Sequence, residues 1–301
     1  MSLKILITGG AGFIGSHLAE KLIAANYSVS IIDNLSTVNK TNLPAKADFY
    51  QKNIQDPLLI DLFKKIQPEV VFHLAAASRI SSSNQDVLNS NIIGTYNLLN
   101  CSKAVKVKQV IFTSSAAVYG ESKKFPIKEN FPTKPISAYG LSKLTGELYC
   151  QFFHPYFTST IFRLANIYGP RQDSSAEGGV VAIFIKNLLQ NKKSFIYGDG
   201  QQTRDFVYVE DVIKAMMLAL GDNKSNIYNL SSNQEISVID LLKQTVELIN
   251  RKPEYSFKKS RKGDIKKSLL DNFLIKKQFN WNPQTSLKQG LTQTIKYFQS
   301  L

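Results

Sequence analysis

The chain has 301 residues, with 37 Lys and Arg against 23 Asp and Glu, a net charge of +14 and two cysteines. It is long enough to bury a real core in one or two domains. No apolar run approaches the ~20 residues that a membrane helix needs. No charged stretch followed by an apolar one opens the sequence, so a cytoplasmic protein is expected. Cys101 and Cys150 lack motif spacing, which argues against a disulfide framework or a zinc site and for two buried thiols. The lysines fall in scattered pairs such as Lys64-Lys65 and Lys192-Lys193, with no long tract interleaved with aromatics. That pattern gives no reason to expect specific nucleic-acid binding, and most of the charge reads as solvated surface.

In chain order, an apolar run from Leu3 to Ile7 reads as a strand, followed by Thr8-Gly9-Gly10-Ala11-Gly12-Phe13-Ile14-Gly15 and a helix with Leu18, Leu22 and Ile23 on one face. A second strand, Val29 to Ile32, ends in Asp33. This is the pattern of a dinucleotide site. Gly9 permits the tight turn, Gly12 lets a pyrophosphate approach the backbone, Gly15 lets the helix pack on the sheet, and the helix N-terminus offers free N–H groups to the phosphates. Asp33 is placed to accept hydrogen bonds from the adenosine ribose. A carboxylate there repels a 2′-phosphate, and Asn34, Leu35, Ser36 and Thr37 offer no arginine, so NAD is expected over NADP.

Strand and helix signals then alternate: a short strand at 48 to 51, a helix at 57 to 66, and a strand at 70 to 75. A helix at 86 to 104, a strand at 107 to 114, a helix at 137 to 154 and a strand at 158 to 164 follow. The alternation predicts an α/β fold, a Rossmann-type doubly wound parallel sheet. Past Gly169 a turn-rich stretch leads to a helix at 180 to 190, residues 206 to 221 again read as strand then helix, and further helices fall near 237 to 249 and 286 to 299. Residues 1–169 and 206–229 are therefore assigned to the dinucleotide-binding domain. Residues 170–205 and 230–301 are assigned to a second, smaller α/β lobe over the strand ends, with the ligand in the cleft between them.

Three groups can converge on that cleft. Thr113-Ser114-Ser115 ends a strand, and Tyr139 and Lys143 lie four apart near the start of a helix, on one face. Bringing a tyrosine from its reference pKa of ~10 to ~7 takes about 4 kcal/mol of preference for the phenolate. A lysine cation and a positive nicotinamide ring supply that sign of interaction, and Ser115 can orient a substrate hydroxyl. On an isolated helix, a tyrosine and lysine at this spacing are as readily surface residues.

TGGAGFIG, Asp33, HLAAA at 73 to 77, SSAAVYG at 114 to 120, YGLSK at 139 to 143 and RLANIYGPRQ at 163 to 172 together resemble the extended short-chain dehydrogenase/reductase superfamily. Within it they resemble the NDP-sugar epimerases, the UDP-glucose/UDP-galactose 4-epimerase group in particular. The likeness continues through YGDGQQTRDFVYVEDV at 197 to 212 and SRKGD at 260 to 264. It implies Ser115, Tyr139 and Lys143 as the catalytic set and a UDP-sugar as substrate. It implies Asn166, Arg204 and Arg261 around the substrate pyrophosphate, Asp264 near the nucleotide, and Val180, Tyr197 and Ser268 about the rest of the substrate. Around NAD it implies Phe13, Ile14, Asn34, Asn53, Ile54, Leu74, Ala75, Ala76 and Asn91 beside the glycines and Asp33. Asn53 stands where the family often has an acid next to the adenine. His73 is expected to be structural, and no metal is expected. A homodimer through helices 86 to 104 and 137 to 154 is implied, with Leu88, Ile92, Leu99, Leu141, Leu144 and Leu148 as the candidate apolar face.

Two rivals share the fold. A sugar 4,6-dehydratase needs an Asp-Glu pair straight after the strand-end hydroxyl residue, where this chain has Ala116 and Ala117, and a decarboxylase lacks its glutamate for the same reason. A non-catalytic NAD-binding regulator commonly loses the tyrosine or the lysine, and this chain keeps both.

Overall fold

The computed structural model describes residues 2–37, 40–78, 83–175, 178–260 and 264–301. The first half alternates β1 (Lys4–Thr8), α1 (Phe13–Ala24), β2 (Ser28–Asp33), β3 (Asp48–Gln51), α2 (Leu59–Ile66) and β4 (Val70–His73). Next come α3 (Asn84–Val87), a π-helical stretch (Leu88–Ile93), α4 (Gly94–Ala104), β5 (Gln109–Ser115), α5 (Ala138–Phe152) and β6 (Thr158–Leu164). Seven parallel strands form the main sheet in the order β11-β6-β5-β4-β1-β2-β3, where β11 is Asn226–Leu230. The chain order reverses beside β1, which opens a crevice at the carboxyl ends of β1 and β4, where such sheets bind ligands.

The sheet is covered on both faces, and the side-chain alternation of its strands shows why. Ile5 and Ile7 of β1 point into the layer that holds Leu18 and Leu22 of α1, whereas Leu6 points into the layer of Phe63, Leu98 and Phe153 from α2, α4 and the end of α5. Ile31 and Ile32, Phe72 and Val71, and Ile111 and Val110 divide in the same way. Strands apolar on both faces suit a parallel sheet between helices.

The rest of the chain is built from β7 (Asn166–Tyr168), α6 (Val180–Leu189), β8 (Ser194–Tyr197), β9 (Thr203–Arg204), β10 (Phe206–Tyr208) and α7 (Val209–Leu218). After β11 it adds β12 (Ile236–Ser237), α8 (Val238–Ile249), β13 (Tyr255–Lys258), α9 (Phe273–Phe279) and α10 (Leu287–Gln299). These strands pair in twos: β10 with β7, β12 with β9 and β13 with β8. Trp281 ties the C-terminal part to α7 by donating its indole N–H to the Asp211 carbonyl at 2.9 Å, and the Asp211 carboxylate accepts the amides of Gln284 and Thr285.

Three local expectations shift. The strand expected to run to Ala75 ends at His73, because 74–78 leave the sheet to line the crevice. The helix expected from 86 starts at Asn84, where Ser83 and Asp86 form a reciprocal capping box. The helix expected from 57 starts at Leu59, since the Asp56 carboxylate holds the turn by accepting the Leu58 amide.

Candidate active site

The glycine turn is made necessary by its neighbours. Gly9 has φ +73°, and a Cβ there would approach the Ala75 amide nitrogen to 2.7 Å. A Cβ on Gly15 would collide with the Gly9 carbonyl, so α1 reaches this close to the turn only with glycine. Gly12 is the N-cap of α1, and no side chain caps that end. The first-turn N–H groups therefore face the crevice with the positive end of the helix dipole behind them, a seat for an anion.

Asp33 closes the other end of this wall. Its Oδ2 accepts the Ala11 amide at 3.0 Å and its Oδ1 accepts the Leu35 amide at 2.8 Å. Beside it the Asn34 side-chain amide donates to Asn53 Oδ1 at 2.6 Å. The crevice has a volume of about 1040 Å³. It runs from Asp33, Asn34, Asn53 and Ile54 past Gly12, Phe13, Ile14 and Gly15 to Leu74, Ala75, Ala76, Thr113 and Tyr139. Size, uncapped helix and the acid at the end of β2 all fit a dinucleotide. Lys52, a cation near Asp33 on this wall, is paired with Asp56 at 3.1 Å.

At the far end, α5 is locked against β5. A Cβ on Gly140 would lie 2.6 Å from the Ala117 carbonyl, and one on Gly146 would lie 2.5 Å from the Phe112 ring. Ser137 caps the helix by accepting the Gly140 amide at 3.0 Å. This seating puts half-buried Tyr139 on the crevice wall. Behind it, Lys143 donates from Nζ to the Thr113 carbonyl at 2.8 Å, 5.9 Å from the centre of the Tyr139 ring. Ser115 ends β5 and accepts the Ala117 amide at 3.2 Å. Ser115 and Lys143 are not part of the wall; Thr113 and Tyr139 are.

The electrostatics differ in one respect from the sequence expectation. Burial raises the Tyr139 phenol above its ordinary value, and a hydrogen bond from Ser115 opposes this. Burial also lowers Lys143 to about 8. Lys143 is turned to the Thr113 carbonyl, with its ammonium 5.9 Å from the centre of the Tyr139 ring. His73 is structural as expected: its ring is fully buried between the hydroxyls of Thr8 at 2.8 Å and Thr95 at 2.9 Å, and burial lowers it to about 3.

On the other wall, Asn166 and Val180 line the crevice. Arg204 is held by Asp264 at 2.5 Å and lies outside the wall, as does Tyr197, whose carbonyl accepts Gln202 Nε2 at 2.7 Å. Ser268 is buried, with its amide donating to the Thr203 carbonyl at 3.2 Å next to Arg204. It is not part of the wall of this crevice. Arg261 lies outside the described residues. Asn91 stands behind the wall. It does not reach the crevice, because its amide is committed to both the N–H and the carbonyl of Ala77 and to Ser142 Oγ. It braces the 74–78 loop from behind.

Sequence reasoning missed Arg171 and Gln172 as lining residues. Arg171 has φ +66° and pairs with Glu20 of α1 at 2.6 Å, while Gln172 Nε2 donates to the Ile167 carbonyl at 2.8 Å. The Gly169-Pro170 turn before them was the available signal. Among the described residues no group of acids, histidines and cysteines could hold a metal ion, and no helix is long and apolar enough to cross a membrane.

Residues 5–231 match the family model described as the NAD dependent epimerase/dehydratase family. The chain belongs to that family. A UDP-glucose 4-epimerase of Mycolicibacterium smegmatis is 34% identical over 310 residues, covering 99% of both chains. The solved structure of a UDP-glucose 4-epimerase of Thermotoga maritima with UDP-glucose is 41% identical, with a TM-score of 0.96 over 98% of each chain. A UDP-N-acetylglucosamine 4-epimerase of Methanobrevibacter ruminantium in complex with UDP-N-acetylmuramic acid is 33% identical, with a TM-score of 0.92 over 100% of this chain and 99% of that one.

Proposed function

We propose that the protein binds NAD and interconverts the C4 epimers of a UDP-hexose, UDP-glucose and UDP-galactose first among them. The observation that carries this reading is Tyr139 on the crevice wall with Ser115 and Lys143 directly behind it, at the opposite end from Asp33. Tyr139 as phenolate takes the proton of the sugar 4-hydroxyl, and Ser115 orients that hydroxyl. NAD, held between Asp33 and the glycine turn, would supply the hydride chemistry at C4, and Tyr139 would give its proton back to the 4-oxygen once the 4-keto sugar has turned its other face to the cofactor. A positive nicotinamide ring bound there would join Lys143 in favouring the phenolate of Tyr139. The cofactor would be regenerated in each turnover and retained, and Asp33 favours NAD over NADP.

The lobe formed by 170–205 and 230–301 would hold the nucleotide. Asn166, Arg204 and Arg261 grip its pyrophosphate, with Asp264 nearby; a guanidinium gives the two-pronged grip that an ammonium cannot. Ala116 and Ala117 leave the dehydratase and decarboxylase chemistries without their acids. Ser268 in place of a larger side chain leaves room for an acetamido group at C2, so the N-acetylhexosamine forms are proposed as substrates too. An exposed apolar stripe of Leu88, Leu141, Leu148 and Phe152 supports a homodimer. Leu99 does not belong to it, being fully buried in the core. Incubating the protein with a panel of UDP-sugars without added NAD and separating C4 epimers tests the reading. A single reduced or dehydrated product, or none, would count against it.

A further inference from the structure

A buried polar cluster lies behind the catalytic pair. Glu147 sits one helical turn beyond Lys143 on α5 and is 1% exposed, while Arg163 near the end of β6 is 4% exposed. Their contact is two-pronged: Nε donates to Oε1 at 2.9 Å and Nη2 to Oε2 at 2.7 Å. Ser114 of β5 donates its hydroxyl to the same Oε1. The remaining Arg163 nitrogen donates to the Tyr119 hydroxyl at 2.9 Å and the Glu129 carbonyl at 3.0 Å. The cluster thus joins α5, which carries Tyr139 and Lys143, to the strand that ends in Ser115 and the strand that leads into Asn166. A buried ion pair is weak evidence for a stabilising role, because apolar side chains of similar volume often fill such a site as well.

We propose that Glu147, fixed by Arg163 and Ser114, is a positioning residue that keeps the Lys143 side chain charged and aimed at the Thr113 carbonyl behind Tyr139. The inference rests on the reading of Tyr139 and Lys143 as catalytic. The groups facing Lys143 are few. Tyr139, Glu147 and Cys150 lie on its own helix, and His73 faces it from β4. β5 presents the Thr113 carbonyl and the Phe112 ring, and β6 presents Arg163 only through Glu147. The preceding helical run presents the neutral Asn91, bonded to Ser142, and Asp86 of α3 is bonded to Ser83 at 2.8 Å. Burial lowers Lys143, and Cys150 and Glu147 oppose that. Burial drives the Cys150 thiol well above its ordinary value, and His73 is lowered to about 3. Both are neutral near pH 7, so the opposing group is Glu147, one helical turn along α5 and gripped by the Arg163 guanidinium through both oxygens.

The test compares the unmodified protein with Glu147→Gln, and with Glu147→Gln plus Arg163→Met, which leaves no unpaired guanidinium if the single variant does not fold. Two readouts are taken: the pH dependence of kcat with UDP-glucose, and the titration of the Lys143 ζ-nitrogen by ¹⁵N NMR, its resonance assigned by its loss in Lys143→Met. Both titrations are expected to move to lower pH. For a tenfold loss of proton affinity from a starting value of about 8, activity at pH 8 falls about fivefold further than at pH 6. A lower melting temperature with both titrations unmoved overturns the proposal, since a merely structural pair would behave that way. The NMR titration needs no turnover. A moved Lys143 titration in a protein that epimerises no sugar would therefore uphold this inference while overturning the epimerase reading.

Discussion

Asp33 and Ala11 are joined by a 3.0 Å hydrogen bond from the Ala11 amide to Oδ2, and this ties the acid at the end of β2 to the glycine turn after β1. The carboxylate therefore shapes the turn in addition to its proposed contact with the ribose of NAD. Asp33→Ala is expected to weaken NAD binding tenfold or more, since a hydrogen bond to a charged group contributes ~1.5 to 3 kcal/mol. It should also lower the melting temperature, because the Ala11 and Leu35 amides lose their acceptor. Calorimetric titration of cofactor-stripped protein with NAD and NADP checks this; tighter NADP binding by the unmodified protein would contradict the role given to Asp33.

Tyr139→Phe removes the phenol and leaves the ring that lines the crevice. Turnover is expected to fall by about 10² to 10⁴ while NAD and UDP still bind. Because burial raises the phenol in the free protein, NAD binding should bring out phenolate absorbance near neutral pH in the unmodified protein and not in the variant. Near-normal turnover by the variant would remove the base from the mechanism.

His73 gives a pH dependence with a definite sign. Its folded-state value is lowered from 6.5 to about 3, so the unfolded chain binds the extra proton between those values. The contribution is complete above pH 6.5 and is lost as the pH falls toward 3. His73→Gln can keep bonds to Thr8 and Thr95 but cannot titrate. The difference in melting temperature between the unmodified protein and this variant should shift against the unmodified protein from pH 7 to pH 4. A difference independent of pH would contradict the account.

Ser268, with its amide on the Thr203 carbonyl next to Arg204, is proposed to leave the space that the C2 substituent of the sugar occupies. Ser268→Tyr is expected to abolish activity on the N-acetylated sugars while sparing UDP-glucose, an overpacking penalty of ~1 to 3 kcal/mol falling on the bulkier substrate. Comparison of kcat/KM for the two substrate classes decides it. Equal losses would make Ser268 a packing residue only.

The proposed dimer is checked on its exposed leucines. Leu141 and Leu148 are 54% and 56% exposed on α5. Leu141→Glu with Leu148→Glu should convert a dimer to monomers in analytical ultracentrifugation and leave the fold intact. A monomeric unmodified protein would contradict the interface.

The dinucleotide half was legible because backbone geometry dictates its residues. Gly9 needs a positive φ, Gly15 needs the absence of a Cβ, and Asp33 at the end of β2 accepts the Ala11 amide of the turn, so pattern and structure coincide. The long strands and helices around them carry periodicity over many residues. The later part was much less so. β9 and β12 have two residues each and pair across a wide gap in sequence, giving no periodic signal. Asn91 and Arg204 show a different limit: sequence placed them near the right neighbours, but only coordinates show that one is committed to Ala77 and the other to Asp264. Arg163 and Glu147, sixteen residues apart, could not be paired without the sheet that brings β6 beside α5.

The most direct test of the hydride mechanism uses UDP-glucose deuterated at C4, incubated with the protein as purified in ordinary water without added NAD. Mass spectrometry and proton NMR of the UDP-galactose formed should show the deuterium retained at C4, because the hydride leaves to bound cofactor and returns to the same carbon. Deuterium lost to solvent, or no galactose epimer at all, would contradict that route.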